Sequence, residues 1–338
     1  MTLKGALIGL GNIAVRGHVP AYLADDVRGR MELVAVMDVV EHNREKAREH
    51  LPGARFYTDA ESLLDAEQLD FVDICTPPHT HAGYIAAFAA RGVHVLCEKP
   101  LVEHASKIPA VEAALAGAGV VFMPCHQYKY SPLWAAIHDL IRDGALGTVT
   151  TAQFNVYRLQ ADSGTAAWNP QWRTNKAQSG GGILVDTGAH YFYLAQFFFG
   201  RPKAVSAVLR TLKHADYGVE DTAAVVLEYE GMLMQLTLTW AAGQRANSVF
   251  IAGSRGSLSY DGTRLVLAGP DGAREIPMPD VSDKKQYVAW YAALLNDFRV
   301  RIEAKAASGD LLEEATTVMK LLELSYRSSE EQRVLPFA

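Results

Sequence analysis

The chain has no uninterrupted apolar run of about 18 residues, the length at which a stretch reads as a membrane-crossing helix. It has no excess of positive charge either: 32 Lys and Arg stand against 38 Asp and Glu, for a net charge of -6. Nucleic-acid readers carry a basic patch or stripe, so neither nucleic acid nor a membrane is an expected partner. Cysteine is scarce. Cys75, Cys97 and Cys125 are the only three, too few and too widely spaced for a disulfide framework or a zinc knuckle. Repeats, linkers and low-complexity tracts are missing. Met1-Thr2-Leu3-Lys4 runs straight into a strand pattern without a signal-peptide layout, so a cytoplasmic location is expected. What is present is an ordinary globular composition, 49% apolar and 21% charged over 338 residues, which predicts two domains.

Residues 3–9 form an apolar strand pattern that leads directly into Gly9-Leu10-Gly11-Asn12-Ile13-Ala14. This is G-x-G-x-x-A at the opening of a predicted helix over 14–23. The first glycine permits a tight turn and the second lets the backbone approach a pyrophosphate. Ala14 allows close helix–strand packing, and the helix start offers N–H groups to phosphate. The next strand, 31–38, ends in Asp38, near the spacing at which an acid meets the adenosine ribose of NAD. That carboxylate would repel a 2′-phosphate, so NADP is the less favoured cofactor. Its other reading is a cap for the helix beginning near Glu41.

Strand and helix patterns then alternate: strands at 55–57, 70–75, 92–97 and 120–124, helices at 59–64, 79–90 and 104–116. This order predicts a doubly wound parallel sheet, a Rossmann domain over residues 1–124. Each cysteine closes an apolar run, so all three thiols should lie near one edge of that sheet as small packed groups. Thr76-Pro77-Pro78-His79-Thr80-His81 follows one strand, and its prolines force an extended turn. His79 and His81 read as helix-start residues, with no third ligand for a metal. Most conspicuous is 93–100, Val-His-Val-Leu-Cys-Glu98-Lys99-Pro100. There a strand ends in a carboxylate and an amine at the side of a parallel sheet where ligands bind.

Gly9-Leu-Gly-Asn-Ile-Ala14, Thr76-Pro77-Pro-His-Thr-His81 and Glu98-Lys99-Pro100 together resemble the glucose–fructose oxidoreductase, inositol dehydrogenase and rhizopine-catabolism family (Gfo/Idh/MocA). The likeness continues in the second half. Trp172-Arg173, Gly180-Gly-Gly and Asp186-x-x-x-His190 match its second-domain signature, and Glu220-Asp221-Thr222-Ala223 looks like a further block. Two departures stand out. Tyr193 occupies a place where many members have aspartate, and Lys129 stands where arginine is common. Both bear on substrate contacts.

Residues 125–338 read as a substrate-binding and oligomerisation α+β domain on a large, mostly antiparallel sheet. A long polar loop spans 158–179, a length that suits function. Its Trp168, Trp172 and Arg173 suit a hydroxyl-rich or anionic ligand, or else anchor the segment. Gly180-Gly181-Gly182 opens a helix running to Phe199, with the Gly run read as allowing close approach to a ligand. At i,i+4, Asp186 and His190 share a helix face, so the carboxylate is expected to orient the imidazole and favour its protonated form. In 233–240, Gln235, Thr237 and Thr239 alternate with Leu236, Leu238 and Trp240. That leaves one semi-polar sheet face, which family members often use to pair subunits. Two amphipathic helices, 283–306 and 310–328, close the chain.

These readings converge on an NAD(H)-dependent dehydrogenase or reductase. It would act on a secondary hydroxyl or ketone of a sugar, sugar derivative or cyclitol, as a dimer or tetramer. His190 is the expected base, Asp186 its partner and Lys99 the cation beside the reacting oxygen; the resemblance implies the same three positions. It also implies cofactor contacts at Gly9, Leu10, Gly11, Asn12, Ile13, Asp38, Thr76, Pro77, His79, His81, Glu98, Lys99 and Gln127. Substrate contacts are expected at Lys99, Trp172, Arg173, Asp186 and His190, and no metal. Glu98 either meets the cofactor or anchors Lys99. Two other functions fit the same motifs: glycosidic cleavage by transient oxidation, and a dinucleotide-binding sensor without activity.

Overall fold

A computed structural model describes residues 2–166, 168–279 and 286–337; the predicted helix start at Asp283 lies outside them. Six parallel strands make the first sheet: β1 (Leu3–Ile8), β2 (Met31–Met37), β3 (Arg55–Tyr57), β4 (Phe71–Ile74), β5 (His94–Cys97) and β6 (Phe122–Pro124), ordered β3-β2-β1-β4-β5-β6. The order reverses between β1 and β4, which opens a crevice at the carboxyl ends of those strands. Cys75, Cys97 and Cys125 are free and buried at those ends, as the sequence pattern implied.

Alternate strand residues face opposite layers. Ala6, Ile8, Val72, Ile74 and Val95 share a core with Ile85, Phe88, Ile108 and Val111. Leu7, Val36, Phe71 and Leu96 share the other with Tyr291, Leu294, Leu295 and Phe298. The latter group comes from the helix Gln286–Glu303, whose apolar residues recur at helical spacing. Residues from the C-terminal stretch thus complete the core of the nucleotide-side sheet. Each large apolar side chain buried this way contributes about 1.5–3 kcal/mol.

The second sheet contains β7 (Val149–Tyr157), β8 (Ala204–Arg210), β9 (Thr222–Tyr229), β10 (Met232–Thr239), β11 (Ala246–Gly253), β12 (Ser257–Tyr260), β13 (Leu265–Gly269), β14 (Gly272–Ile276) and β15 (Leu335–Pro336). Its order is β14-β13-β12-β11-β7-β10-β9-β8-β15. Pairing is antiparallel except between β7 and β10 at the centre. Along β10, Met232, Met234, Leu236 and Leu238 are buried while the residues between them face outward. The helices Ala189–Phe199 and Gly309–Glu331 pack over the covered side.

The Gly180–Gly182 run has a different purpose from the one expected. A Cβ on Gly180 would lie 2.1 Å from the Glu103 carbonyl oxygen, on Gly181 1.9 Å from the Tyr326 hydroxyl, and on Gly182 1.9 Å from the Glu220 carbonyl oxygen. The close approach is by protein, not by a ligand. Glu220 explains its own motif block here. Its carboxylate accepts from Gly182 N at 3.0 Å and Leu184 N at 3.1 Å, and from the Tyr326 hydroxyl at 2.8 Å. It satisfies amides at the start of the helix that carries Asp186 and His190. Gly182→Ala should therefore cost about 2 kcal/mol or more, read as a lower urea midpoint with an unchanged slope.

Candidate active site

The crevice is shaped by the first βα turn. Gly9 has φ +90°, and a Cβ there would sit 2.8 Å from Thr76 Cγ2. Gly11 has nothing within 4 Å of where its Cβ would be. That leaves space over the helix opening at Asn12 and Ile13, which fits a dinucleotide pyrophosphate. Leu10 is a core residue by its side chain, so only its backbone borders the crevice. Asp38 accepts from Leu10 N at 2.7 Å and from Val40 N at 2.8 Å. It fastens the glycine turn to the end of β2, while its place at that end still suits a ribose. Lys46, absent from any motif, donates to the Leu10 carbonyl at 2.8 Å.

Across the crevice, Thr76 and Pro77 turn away from β4. The ring nitrogens of His81, expected among the cofactor contacts, both face backbone carbonyls. It is fully buried, with Nδ1 3.0 Å from the Pro100 carbonyl and Nε2 2.8 Å from the Thr76 carbonyl. It brackets the β4 turn to the cis Lys99–Pro100 bond. His79 faces the second domain, 3.3 Å from the Gln178 carbonyl and stacked on Trp168. Asn12 donates to the Ser163 carbonyl at 3.2 Å, so the 158–179 loop lies against the glycine turn. Trp168 is 38% exposed and is not a buried anchor. Gln127 is buried just after β6 with its carboxamide oxygen unpartnered among the described residues.

Glu98, also expected among the cofactor contacts, is buried beneath the crevice. Its carboxylate accepts from His18 Nε2 at 3.0 Å, the Tyr291 hydroxyl at 2.7 Å and Lys99 N at 3.0 Å. His18 also donates to Asp73 at 2.8 Å, and Tyr22 donates to the same oxygen at 3.0 Å. Burial works to lower the His18 pKa, but Asp73 and Glu98 outweigh it and raise the value from 6.5 to about 10. An imidazolium between two carboxylates thus sits under the crevice. Of the two roles expected for Glu98, these contacts favour the anchor of Lys99. His18, Asp73 and Cys125 each place a ligand atom within 4.8 Å of the others, but both His18 nitrogens are committed to carboxylates. Only Glu98 and Lys99 of this network belong to a motif, because His18, Tyr22, Asp73 and Tyr291 come from three other elements.

Lys99 Nζ donates to the backbone carbonyl of Asp186 at 2.8 Å. This contact brings the end of β5 to the second domain. The Asp186 carboxylate accepts from Arg173 Nε at 3.1 Å, and the Arg173 guanidinium lies 4.4 Å over the Trp172 ring. Burial works to raise the Asp186 pKa, but Lys99 and Arg173 hold it below the usual carboxylate range.

The expected Asp186–His190 pair does not form. The helix starts as a π-helical segment, Leu184–Gly188, before Ala189–Phe199 turns α-helical. Wider i→i+5 turns break the i,i+4 facing rule. His190 Nδ1 instead lies 2.8 Å from the Tyr193 hydroxyl, and its ring stacks on Tyr128 at 4.2 Å. Burial, Lys99 and His126 push its pKa well below the usual imidazole value. These influences favour the neutral ring, opposite to the protonated form anticipated.

A profile of the oxidoreductase family with an NAD-binding Rossmann fold matches residues 3–126, and the GFO/IDH/MocA C-terminal domain matches residues 134–259. The chain belongs to the Gfo/Idh/MocA oxidoreductase family. D-apiose dehydrogenase of Paraburkholderia graminis is 29% identical over 98% of this chain and 89% of that protein. Inositol 2-dehydrogenase of Rhizobium meliloti is 26% identical over 100% of both. A solved structure of levoglucosan dehydrogenase with NADH and levoglucosan superposes with a TM-score of 0.86 at 21% identity, covering 99% of each chain; it attests the fold.

As a Gfo/Idh/MocA member, the chain is an oxidoreductase with an NAD-binding domain, and its two departures can be located. Lys129 Nζ pairs with both Glu314 oxygens, at 3.0 and 2.9 Å. It is engaged with the helix Gly309–Glu331. Tyr193 takes the position beside the His190 ring.

The His18 network makes stability depend on pH. The folded-state pKa lies above the ordinary 6.5, so the contribution is complete below that value and lost as pH rises through about 10. At full strength it is on the order of 5 kcal/mol. Urea midpoints should fall across this interval in the wild type and stay flatter in His18→Gln.

Proposed function

We propose that the protein is an NAD(H)-dependent dehydrogenase or reductase acting on a secondary hydroxyl or ketone of a sugar, sugar derivative or cyclitol. The observation that carries this reading is the Lys99–Asp186 contact. It joins the end of β5, at the dinucleotide crevice, to the helix bearing His190. Oxidising a secondary alcohol requires hydride to leave carbon and a proton to leave oxygen, and bound NAD supplies the hydride acceptor. The protein's task is to hold the oxygen with a cation and a hydrogen-bonding ring. In this reading the Lys99 amine takes that proton during oxidation and its ammonium returns it during reduction, and His190 is the ring that hydrogen-bonds the oxygen. Asp186, Arg173 and Trp172 line the side where a polyol would offer further hydroxyls, and the dehydrogenase relatives named above act on such molecules.

A screen of aldoses and inositols with NAD and then NADP, followed by the absorbance of reduced nicotinamide, tests the reading. Turnover with NAD is expected. Lys99→Ala and His190→Ala should each lower kcat/KM about 10²–10⁴-fold with melting curves preserved. Near wild-type rates in both would remove the assignment, and a strong preference for NADP would remove the role given to Asp38.

The same reading includes a homo-oligomer, dimer or tetramer, formed through the open face of the second sheet. Val208, Leu233 and Phe250 stand 53%, 47% and 41% exposed there, an apolar group that suits a subunit contact. The three free thiols suit a reducing compartment such as the cytoplasm. Light scattering should give a dimer or tetramer mass for the wild type and a smaller one for Leu233→Lys/Phe250→Lys.

A further inference from the structure

Tyr193 carries, among the described residues, the one side chain hydrogen-bonded to the His190 ring, and its surroundings leave its hydroxyl a single direction. The Tyr193 oxygen accepts the backbone N–H of Tyr128 at 3.1 Å and lies 2.8 Å from His190 Nδ1. The side chain is fully buried, with the His126 ring stacked on it at 4.1 Å. Burial lifts the Tyr193 pKa well above its ordinary value, so the hydroxyl keeps its proton. One lone pair is taken by Tyr128, and Nδ1 is the acceptor within reach. A buried hydroxyl with no acceptor carries a desolvation penalty.

Other titratable or charged groups surround the ring without displacing this bond. Lys99 approaches from the end of β5. His126, after β6, is held by Glu314 from the helix Gly309–Glu331, which also pairs with Lys129. Tyr128 covers the ring face, and its hydroxyl bonds Tyr287 of the helix Gln286–Glu303. Asp186 belongs to Arg173.

We propose that Tyr193 is a positioning residue that locks His190 in the tautomer with its proton on Nε2, so that the ring meets the substrate's reacting oxygen as a hydrogen-bond donor. The proposal rests on the reading of His190 as an active-site residue. In this tautomer Nε2 has no lone pair with which to take a hydroxyl proton. For Nε2 to act as a base, Nδ1 must carry the proton. Nδ1–H and the Tyr128 N–H then both donate to the Tyr193 oxygen, and the tyrosine proton loses its acceptor. A carboxylate at this position would set the opposite polarity, accepting from Nδ1–H and favouring the imidazolium.

The test is ¹⁵N NMR of the whole enzyme labelled at histidine, with His190 identified by the signals lost in His190→Asn. The wild type is expected to show a neutral ring through the neutral pH range, protonated on Nε2 and bare on Nδ1. In Tyr193→Phe the preference for that tautomer should fall about tenfold, since one buried hydrogen bond has been removed. In Tyr193→Asp the proton should move to Nδ1 and the ring should titrate near the ordinary value of about 6.5 or above. A wild-type proton on Nδ1, or a tautomer ratio unchanged in Tyr193→Phe, overturns the proposal. If the aspartate variant does not fold, the wild-type spectrum and the phenylalanine variant still decide it. The two readings fail separately. Active Lys99→Ala and His190→Ala enzymes sink the active-site assignment, whereas inactive ones with a wild-type Nδ1 proton sink the tautomer alone.

Discussion

The His18 imidazolium, fully buried between Asp73 and Glu98, is the contact on which the rest of the site depends. It pairs with two carboxylates buried away from water, and a buried charge is tolerable only when paired and hydrogen-bonded. Glu98 in turn accepts the backbone N–H of Lys99 and the hydroxyl of Tyr291. One network therefore joins the first helix, β4, the end of β5 and a helix from the far end of the chain. A Cβ on Gly17 would come 2.6 Å from the Tyr291 ring, so that helix can approach only because residue 17 is glycine. Lys99 reaches across the crevice from a fixed base.

On the other side of the crevice, an ion pair and a neutral hydrogen bond lie side by side. Asp186 is drawn to Arg173, and its backbone carbonyl, not its carboxylate, meets Lys99. His190 lies among aromatic rings with a phenol at Nδ1. Lys99 and burial act in the same direction on that imidazole, toward the neutral form. The site thus holds its positive charge on Lys99 and Arg173, and its surroundings favour the imidazole as a polar, uncharged ring.

Much of the first domain was legible because its chemistry is local. Gly9 needs its positive φ within one turn, and Ala14 must be small within the same turn. Asp38 closes the next strand at a spacing set by one βα unit. The alternation in β10 announced which face is covered, since strand geometry repeats every second residue. The i,i+4 argument for Asp186 and His190 failed for an equally local reason: the turn between them is π-helical, and sequence spacing alone assumes an α-helix. The Gly180–Gly182 run was rightly read as a close approach, but what approaches is Glu103, Tyr326 and Glu220.

By itself, then, the sequence determined the two-sheet architecture, the dinucleotide turn and the candidacy of Lys99, Asp186 and His190. Each follows from hydrophobic period, from glycine stereochemistry or from a contiguous motif. The contacts that join the separate elements of the site were decided by tertiary structure alone. His18 meets Glu98 across 80 positions, Tyr291 meets Glu98 across 193, and Lys99 meets Asp186 across 87. Protonation and hydrogen-bond direction depend on which charges and which apolar surfaces surround a group, and those neighbours are assembled only when the chain folds.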